Sequence, residues 1–188
     1  MKPMLLTNFE DYPVTYPLWC ERKINGHRCV VVVDEAGNGT AYTREGGVLR
    51  AAGAIAEELE DIGPGMYDGE VYAGSWGATQ SAVKSGHGER LMYHVWDYLT
   101  PAEMRAGGTD VPLRDRRQRL KLMAIRSAHV CLHPGRVIES EDDLGDEFAT
   151  AMAAGEEGLV VKMLHSGYLL GTRSTEWQKI KPAPREEW

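Results

Sequence analysis

The stretch Glu21-Arg22-Lys23-Ile24-Asn25-Gly26-His27-Arg28 stands between two β-type runs, Pro17 to Arg22 and Arg28 to Val33. Asn-Gly is the strongest two-residue hairpin signal, because both positions accept positive φ. The stretch is therefore expected to fold as a tight strand-turn-strand with Lys23 at its mouth. Glu21, two residues earlier, falls on the same strand face as Lys23. Alone, such a hairpin is most often an exposed turn decorated with charges. The other reading is a lysine nucleophile: an amine needs a depressed pKa to attack, and a nearby cation such as Arg28 disfavours the ammonium form.

Outward from this stretch lie further β-type runs, Met66 to Tyr72, Leu91 to Leu99, Gly158 to Met163 and Trp177 to Lys181. Most are close to the five or six residues typical of strands. Ile55, Leu59 and Ile62 have the spacing of a buried helical stripe, and Glu57, Glu58, Glu60 and Asp61 supply its polar face. Two more helices are expected, a basic one over Arg114 to Arg126 and one opened by the acidic block Glu139 to Glu147. The order of hairpin, helix, strands, basic helix, strands, helix and strands predicts an α+β fold of antiparallel β-sheets flanked by helices, not an alternating βαβ fold. One domain over residues 1–188 is expected. Glycine is concentrated at Ala106-Gly107-Gly108-Thr109 and from Ala73 to Gly88.

With 188 residues, 43% of them hydrophobic, the chain is long enough to bury one core of its own. Its longest clear apolar run, Val30 to Val33, stops at Asp34, far short of the roughly 20 residues of a membrane span. A soluble protein with no membrane partner is expected. The net charge of -7 disfavours adhesion to nucleic acid by bulk charge, so a polyanion must meet a local basic surface. Such a surface is offered by Arg114, Arg116, Arg117, Arg119, Lys121 and Arg126, against only Asp115. Three cysteines without a CxxC pair, and an N-terminus without the apolar core of a signal peptide, point to a reducing cytoplasm. The motifs GxxxxGK[ST], HExxH and GxSxG are absent, which removes a P-loop as the phosphate binder. In His129-Val130-Cys131-Leu132-His133 alternate residues share a face, but with no fourth zinc ligand in sight the segment reads as a structural strand.

Two carboxylates on separate strands, Glu70 and Glu157, suit a magnesium ion that keeps several waters and meets phosphate oxygens. Lys179 and Lys181 share one face of their strand, and with Lys162 they can aim ammonium groups at one phosphate. Each has a plainer alternative: a solvated strand face for the glutamates, edge protection for the lysines, and a core position for Trp96.

The lysine stretch is followed in order by Asp68-Gly69-Glu70, Tyr93-His94-Val95-Trp96-Asp97-Tyr98, Glu157-Gly158-Leu159-Val160-Val161-Lys162 and Trp177-Gln178-Lys179-Ile180-Lys181-Pro182. This series resembles the five nucleotidyltransferase motifs of the covalent lysyl-adenylate superfamily, and looks most like the compact, phage-type ATP-dependent DNA ligases. Lys2-Pro3-Met4-Leu5 and Tyr42-Thr43-Arg44-Glu45-Gly46 are also similar to that family. The resemblance implies the nucleotidyltransferase fold, ATP as cofactor with AMP carried on Lys23, and Mg2+. Glu21 would accept from the adenine amino group, Trp96 would stack on the base, and Ile24 would line the nucleotide site. Arg28 and Arg44 would reach ribose and phosphate, Glu70 the ribose hydroxyl or metal, and Glu157 the metal. Lys162, Lys179 and Lys181 would neutralise the α-phosphate.

The implied partner is nicked double-stranded DNA, held by a monomer in the cytoplasm, or in the host cytoplasm if the chain is phage-encoded. Arg114, Arg116, Arg117 and Arg119 are expected on the surface that grips it, with Lys84, Arg90 and Arg173 as the second choice. Two departures from the family stand out: Asn25 replaces the usual Asp, and the sequence stops seven residues after Lys181, where ligases usually continue into an OB-fold domain. The chain is thus expected to be a natural minimal ligase or an adenylation domain alone. An RNA or RNA–DNA hybrid ligase, a guanylyltransferase and a non-enzymatic nucleic-acid-binding module are the alternatives.

Overall fold

The computed structural model describes residues 1–183, so the last five residues of the expected 1–188 domain lie outside the described residues. The strands are β1 (Leu5–Asn8), β2 (Leu18–Arg22), β3 (His27–Val33), β4 (Gly39–Thr43), β5 (Gly65–Tyr72), β6 (Met92–Leu99), β7 (Gly108–Thr109), β8 (Val130–Leu132), β9 (Gly135–Ile138), β10 (Leu159–Met163), β11 (Tyr168–Leu169) and β12 (Arg173–Ile180). The α-helices are α1 (Gly53–Glu60), α2 (Trp76–Ser85), α3 (Pro101–Arg105), α4 (Leu113–Leu122) and α5 (Glu141–Ala153). All six sequence-expected strands and all three expected helices are present, with shifted ends.

Two five-stranded sheets carry the architecture. One has the order β1-β12-β10-β2-β9 and the other β4-β3-β5-β6-β8. Pairing is antiparallel except at β1·β12 and β6·β8. The fold is therefore α+β with largely antiparallel sheets, as expected. The lysine stretch is not a hairpin, however. β2 pairs with β10 and β9, and β3 pairs with β4 and β5, so residues 23–26 cross from one sheet to the other.

The burial pattern explains why the sheets stack. In β3, Cys29, Val31 and Val33 pack with Ile55 and Leu59 of α1, while Val30 packs with Met66, Trp96 and Trp177 between the sheets. A strand buried on both faces reads as a continuous apolar run, which is the origin of Val30–Val33. β10 divides in the same way: Leu159, Val161 and Met163 meet Leu144 and Ala151 of α5, and Lys162 turns inward. Helices thus cover the two outer faces, and the inner faces meet along a seam that opens at one end into a cleft. No helix among the described residues is long and apolar enough to cross a membrane.

Candidate active site

The cleft has a volume of about 540 Å³ and lies between the inner faces of the two sheets. That is within the roughly 300–1,000 Å³ range of small-molecule pockets. Lys23 stands where the chain leaves one sheet for the other. Its N–H donates to Gly158 O at 2.9 Å, extending the β2·β10 ladder by one residue. Gly26 then meets the second sheet, its N–H donating to Glu70 Oε1 at 2.7 Å. Neither Asn25 nor Gly26 takes positive φ. Glycine is required at 26 for closeness instead: a Cβ there would lie 2.4 Å from Val71 O. The hairpin expectation fails because a crossing between sheets, not a two-residue turn, makes the demand.

The Lys23 Nζ donates to Glu157 Oε2 at 2.9 Å, and Lys181 Nζ also bonds the Glu157 carboxylate. Burial pushes the Glu157 carboxyl up, but the hydrogen bonds from Lys181 and Lys23 outweigh it and hold the group below its usual value. Lys179 is held below the usual lysine value, first by burial and then by the neighbouring cations Lys181, Lys23, Arg173 and Arg44. Five cations are thus gathered at one end of the cleft, an arrangement that an anion relieves. Glu70 is raised by burial, and the Gly26 N–H, Lys23 and Arg28 only partly offset this.

The inner end of the cleft is more enclosed. Glu21 is 3% exposed. Trp19 Nε1 donates to its Oε1 at 2.7 Å and Lys162 Nζ to its Oε2 at 2.6 Å. Burial pushes Glu21 up, but Lys162, His133 and Arg117 together bring it below the usual carboxylate value. Lys162 was expected at the α-phosphate. The structure instead places its ammonium on Glu21, 4.3 Å from the Trp177 ring and 5.2 Å from that of Trp96, so it neutralises a buried carboxylate. Trp96 lines the cleft and is also core, at 8% exposure. Ile24, Arg44, Lys179 and Lys181 line the cleft as well, Arg44 with a half-exposed side chain.

Arg28 lines the cleft but is not a free cation. Its Nε and Nη2 fork onto Asp68 at 2.7 Å each, and its guanidinium lies 4.7 Å from the Trp96 ring centroid. Asp68 is fully buried and also accepts from Tyr168 Oη at 2.7 Å. The charge once assigned to activating Lys23 is therefore matched by a carboxylate. Asp68, though it stands within the segment Asp68-Gly69-Glu70, carried no role in the sequence reading. Its signal was the alternation Asp68, Glu70 beside Arg28, Val30 on the paired strand. His133 was also missed: it lines the cleft, its Nε2 bonds Arg22 O at 2.9 Å, and its Nδ1 has no partner among the described residues.

The basic helix α4 corrects the expected DNA surface. Arg116 has no exposed surface; it forks onto Asp97 and donates to Ser166 O at 2.8 Å. Arg117 donates to Trp96 O and His133 O and stacks on Trp19 at 4.6 Å. Arg119 pairs with Glu103 at 2.7 Å. Of the four, only Arg114 points mainly to solvent. Leu113, Arg116, Arg117 and Leu120 fall at i, i+3, i+4 and i+7, the inward stripe of a helix, so the arginines replace apolar residues there and tie α4 to β6.

The chain was compared with known proteins. The family model described as ATP dependent DNA ligase domain matches residues 3–181. A probable DNA ligase of Nocardia farcinica is 40% identical over 73 residues, which is 39% of this chain and 13% of that protein. A DNA ligase of Archaeoglobus fulgidus is 35% identical over 72 residues, 38% of this chain and 13% of that protein. The matched stretch is thus a small part of these relatives. Among solved structures, the ATP-dependent DNA ligase from bacteriophage T7 in complex with ATP superposes with a TM-score of 0.79 at 16% identity, covering 96% of this chain and 68% of that one. The Chlorella virus DNA ligase-adenylate gives 0.72 at 24% identity, covering 96% and 69%. These likenesses establish the fold, and the model match across most of the sequence establishes more: the chain belongs to the ATP-dependent DNA ligase domain family.

Proposed function

We propose that this chain is the adenylation unit of an ATP-dependent DNA ligase and seals nicks between a 5′-phosphate and a 3′-hydroxyl through AMP carried on Lys23. The observation that carries the reading is the meeting of Lys23 and Lys181 on the Glu157 carboxylate, beside the cleft that Lys23, Lys179 and Lys181 line. A nucleophilic amine, a proton acceptor and phosphate-neutralising cations are the parts that phosphoryl transfer needs, since its catalysis is mainly positioning and charge neutralisation.

In the first step the Lys23 Nζ gives up a proton, for which Glu157 Oε2 is the nearest acceptor, and attacks the α-phosphorus of ATP. A P–N bond forms, the bond to the bridging oxygen breaks, and pyrophosphate leaves. Lys179 and Lys181 hold the α-phosphate, while Trp96 and the Glu21–Lys162 pair bound the base. In the second step an oxygen of the 5′-phosphate at a nick attacks the same phosphorus, giving a DNA-adenylate and returning the Lys23 amine. In the third step the 3′-hydroxyl attacks the 5′-phosphate, the phosphodiester forms and AMP departs. Each step displaces one leaving group by one nucleophile, so no other reactant is consumed.

Glu70 and Glu157 are the residues that would hold Mg2+. Both are hard oxygen ligands, and Glu70 commits only Oε1 to Gly26; Glu157 gives Oε2 to Lys23 and Oε1 to Lys181, so it fits the ion once nucleotide phosphates draw one of those ammonium groups away. Bound there, the ion lowers the charge barrier to attack on a polyanionic phosphate.

The test is sealing of a 5′-labelled nick in duplex DNA, run beside the same nick with RNA on one or both strands. Sealing of the DNA nick with ATP and magnesium is expected. Sealing confined to RNA-containing nicks would move the protein to an RNA or hybrid ligase.

A further inference from the structure

Trp76 is 44% exposed, an unusual position for the largest side chain. Single exposed apolar residues are ordinary, but this one packs against a residue of the cleft wall. Its indole stacks on the His27 ring with centroids 5.1 Å apart and planes at 21°, and His27 lines the cleft four residues after Lys23. The segment presenting it is fixed. Ser75 caps α2 by accepting from Ala78 N, Thr79 Oγ1 donates to Ser75 O, and the Ala73 N–H donates back to Thr79 Oγ1. Tyr72 Oη anchors the same segment by donating to Gly74 O at 2.6 Å.

A line of ring contacts runs from the strand that precedes this segment to the cleft. Tyr72 meets His94 at 6.4 Å, His94 meets His133 at 5.7 Å and His133 meets Trp96 at 6.0 Å. The cations Arg44, Arg173 and Lys179 line the same cleft. An exposed indole face packed on the wall of a cleft lined by ammonium and guanidinium groups matches a chain that alternates flat bases with phosphates. It does not match an apolar peptide, which has no charge for the cations to meet.

We propose that Trp76 is a stacking platform for a nucleobase next to the strand break, and so fixes the register of the nick against Lys23. The identity of that nucleic acid as nicked DNA rests on the ligase reading. A fixed indole costs little entropy on binding, and a base beside a break is the easiest in a duplex to unstack, so such a tryptophan favours a broken duplex over an intact one.

The test is equilibrium binding of a nicked duplex with a dideoxy 3′ end and 2-aminopurine beside the break, without ATP, over a range of salt. Trp76→Ala is expected to bind about tenfold more weakly at each salt concentration, with an unchanged salt slope, because stacking releases no counterions. Trp76→Phe should keep most of the affinity. Trp76→Leu, which keeps apolar bulk without a π face, should lose it while melting as the parent does. The 2-aminopurine signal should change on binding the parent and not Trp76→Ala. Equal affinities in parent and Trp76→Ala, or a flattened slope in that variant, would overturn the proposal. Because binding is read without ATP, absence of an adenylate on Lys23 in the parent would defeat the ligase reading separately.

Discussion

Lys23 and Glu157, 134 positions apart in the chain, meet at 2.9 Å beside the cleft. The pair aims the lysine but engages the nitrogen that, in the proposed mechanism, attacks ATP. In that mechanism the contact loosens as ATP enters.

Glu157→Gln removes the carboxylate and leaves Lys23 facing Lys181 without compensation. With its nearest proton acceptor and its positioning contact gone, Lys23 should form the adenylate more slowly, read as label taken up from α-labelled ATP over time. Equal rates in parent and variant would mean that the ion pair does not serve the lysine.

Gly26→Ala places a Cβ 2.4 Å from the Val71 carbonyl oxygen. The crossing must move away from β5, breaking the bond from Gly26 N–H to Glu70. An overpacked site of this kind costs about 1–3 kcal/mol, and urea unfolding should show it together with a loss of adenylate formation. Gly37→Ala, at a positive-φ position with open space around it, should leave adenylate formation unaffected.

Much of this site was legible in the sequence because its chemistry is carried by short ordered segments. Lys23, Glu70, Trp96, Glu157, Lys179 and Lys181 were all singled out, and they gather around one cleft. Asn25-Gly26 was misread because a local signal for a hairpin is identical to a sequence that bridges two sheets. Only the long-range partners of β2 and β3 tell them apart. The arginines of α4 were misread because charge was counted along the chain without regard to helical phase, although Leu113 and Leu120 mark the buried face. Lys162 could not be placed from sequence, since its pairing with Glu21 depends on β2 and β10 being neighbours.

Arg116→Ala should be severely destabilising, because it leaves the Asp97 carboxylate buried without its guanidinium. Breaking a buried pair from one side costs about 3–5 kcal/mol. The exposed Arg114→Ala should change stability by less than about 0.5 kcal/mol. Chemical denaturation of the two variants side by side checks this, and equal midpoints would contradict the inward assignment of Arg116.

ATP binding should take up a proton at alkaline pH. Lys179 is held below its ordinary value of 10.5 in the free protein by burial and by Lys181, Lys23, Arg173 and Arg44. A phosphate anion favours the charged form, so the bound value lies higher than the free one. Affinity is then full below the free value and declines as pH rises from the free value to the bound one. Calorimetry in two buffers of different ionisation enthalpy, within that window, should report uptake in the parent and less in Lys179→Arg, whose guanidinium stays charged throughout.

The most direct measurement is incubation with α-labelled ATP and magnesium, followed by denaturing electrophoresis and peptide mapping. The expected result is label stable to denaturation, on the peptide that contains Lys23, and absent from Lys23→Ala. Label of equal strength in Lys23→Ala, or label mapped to another lysine, would contradict the assignment of Lys23 as the residue that carries AMP.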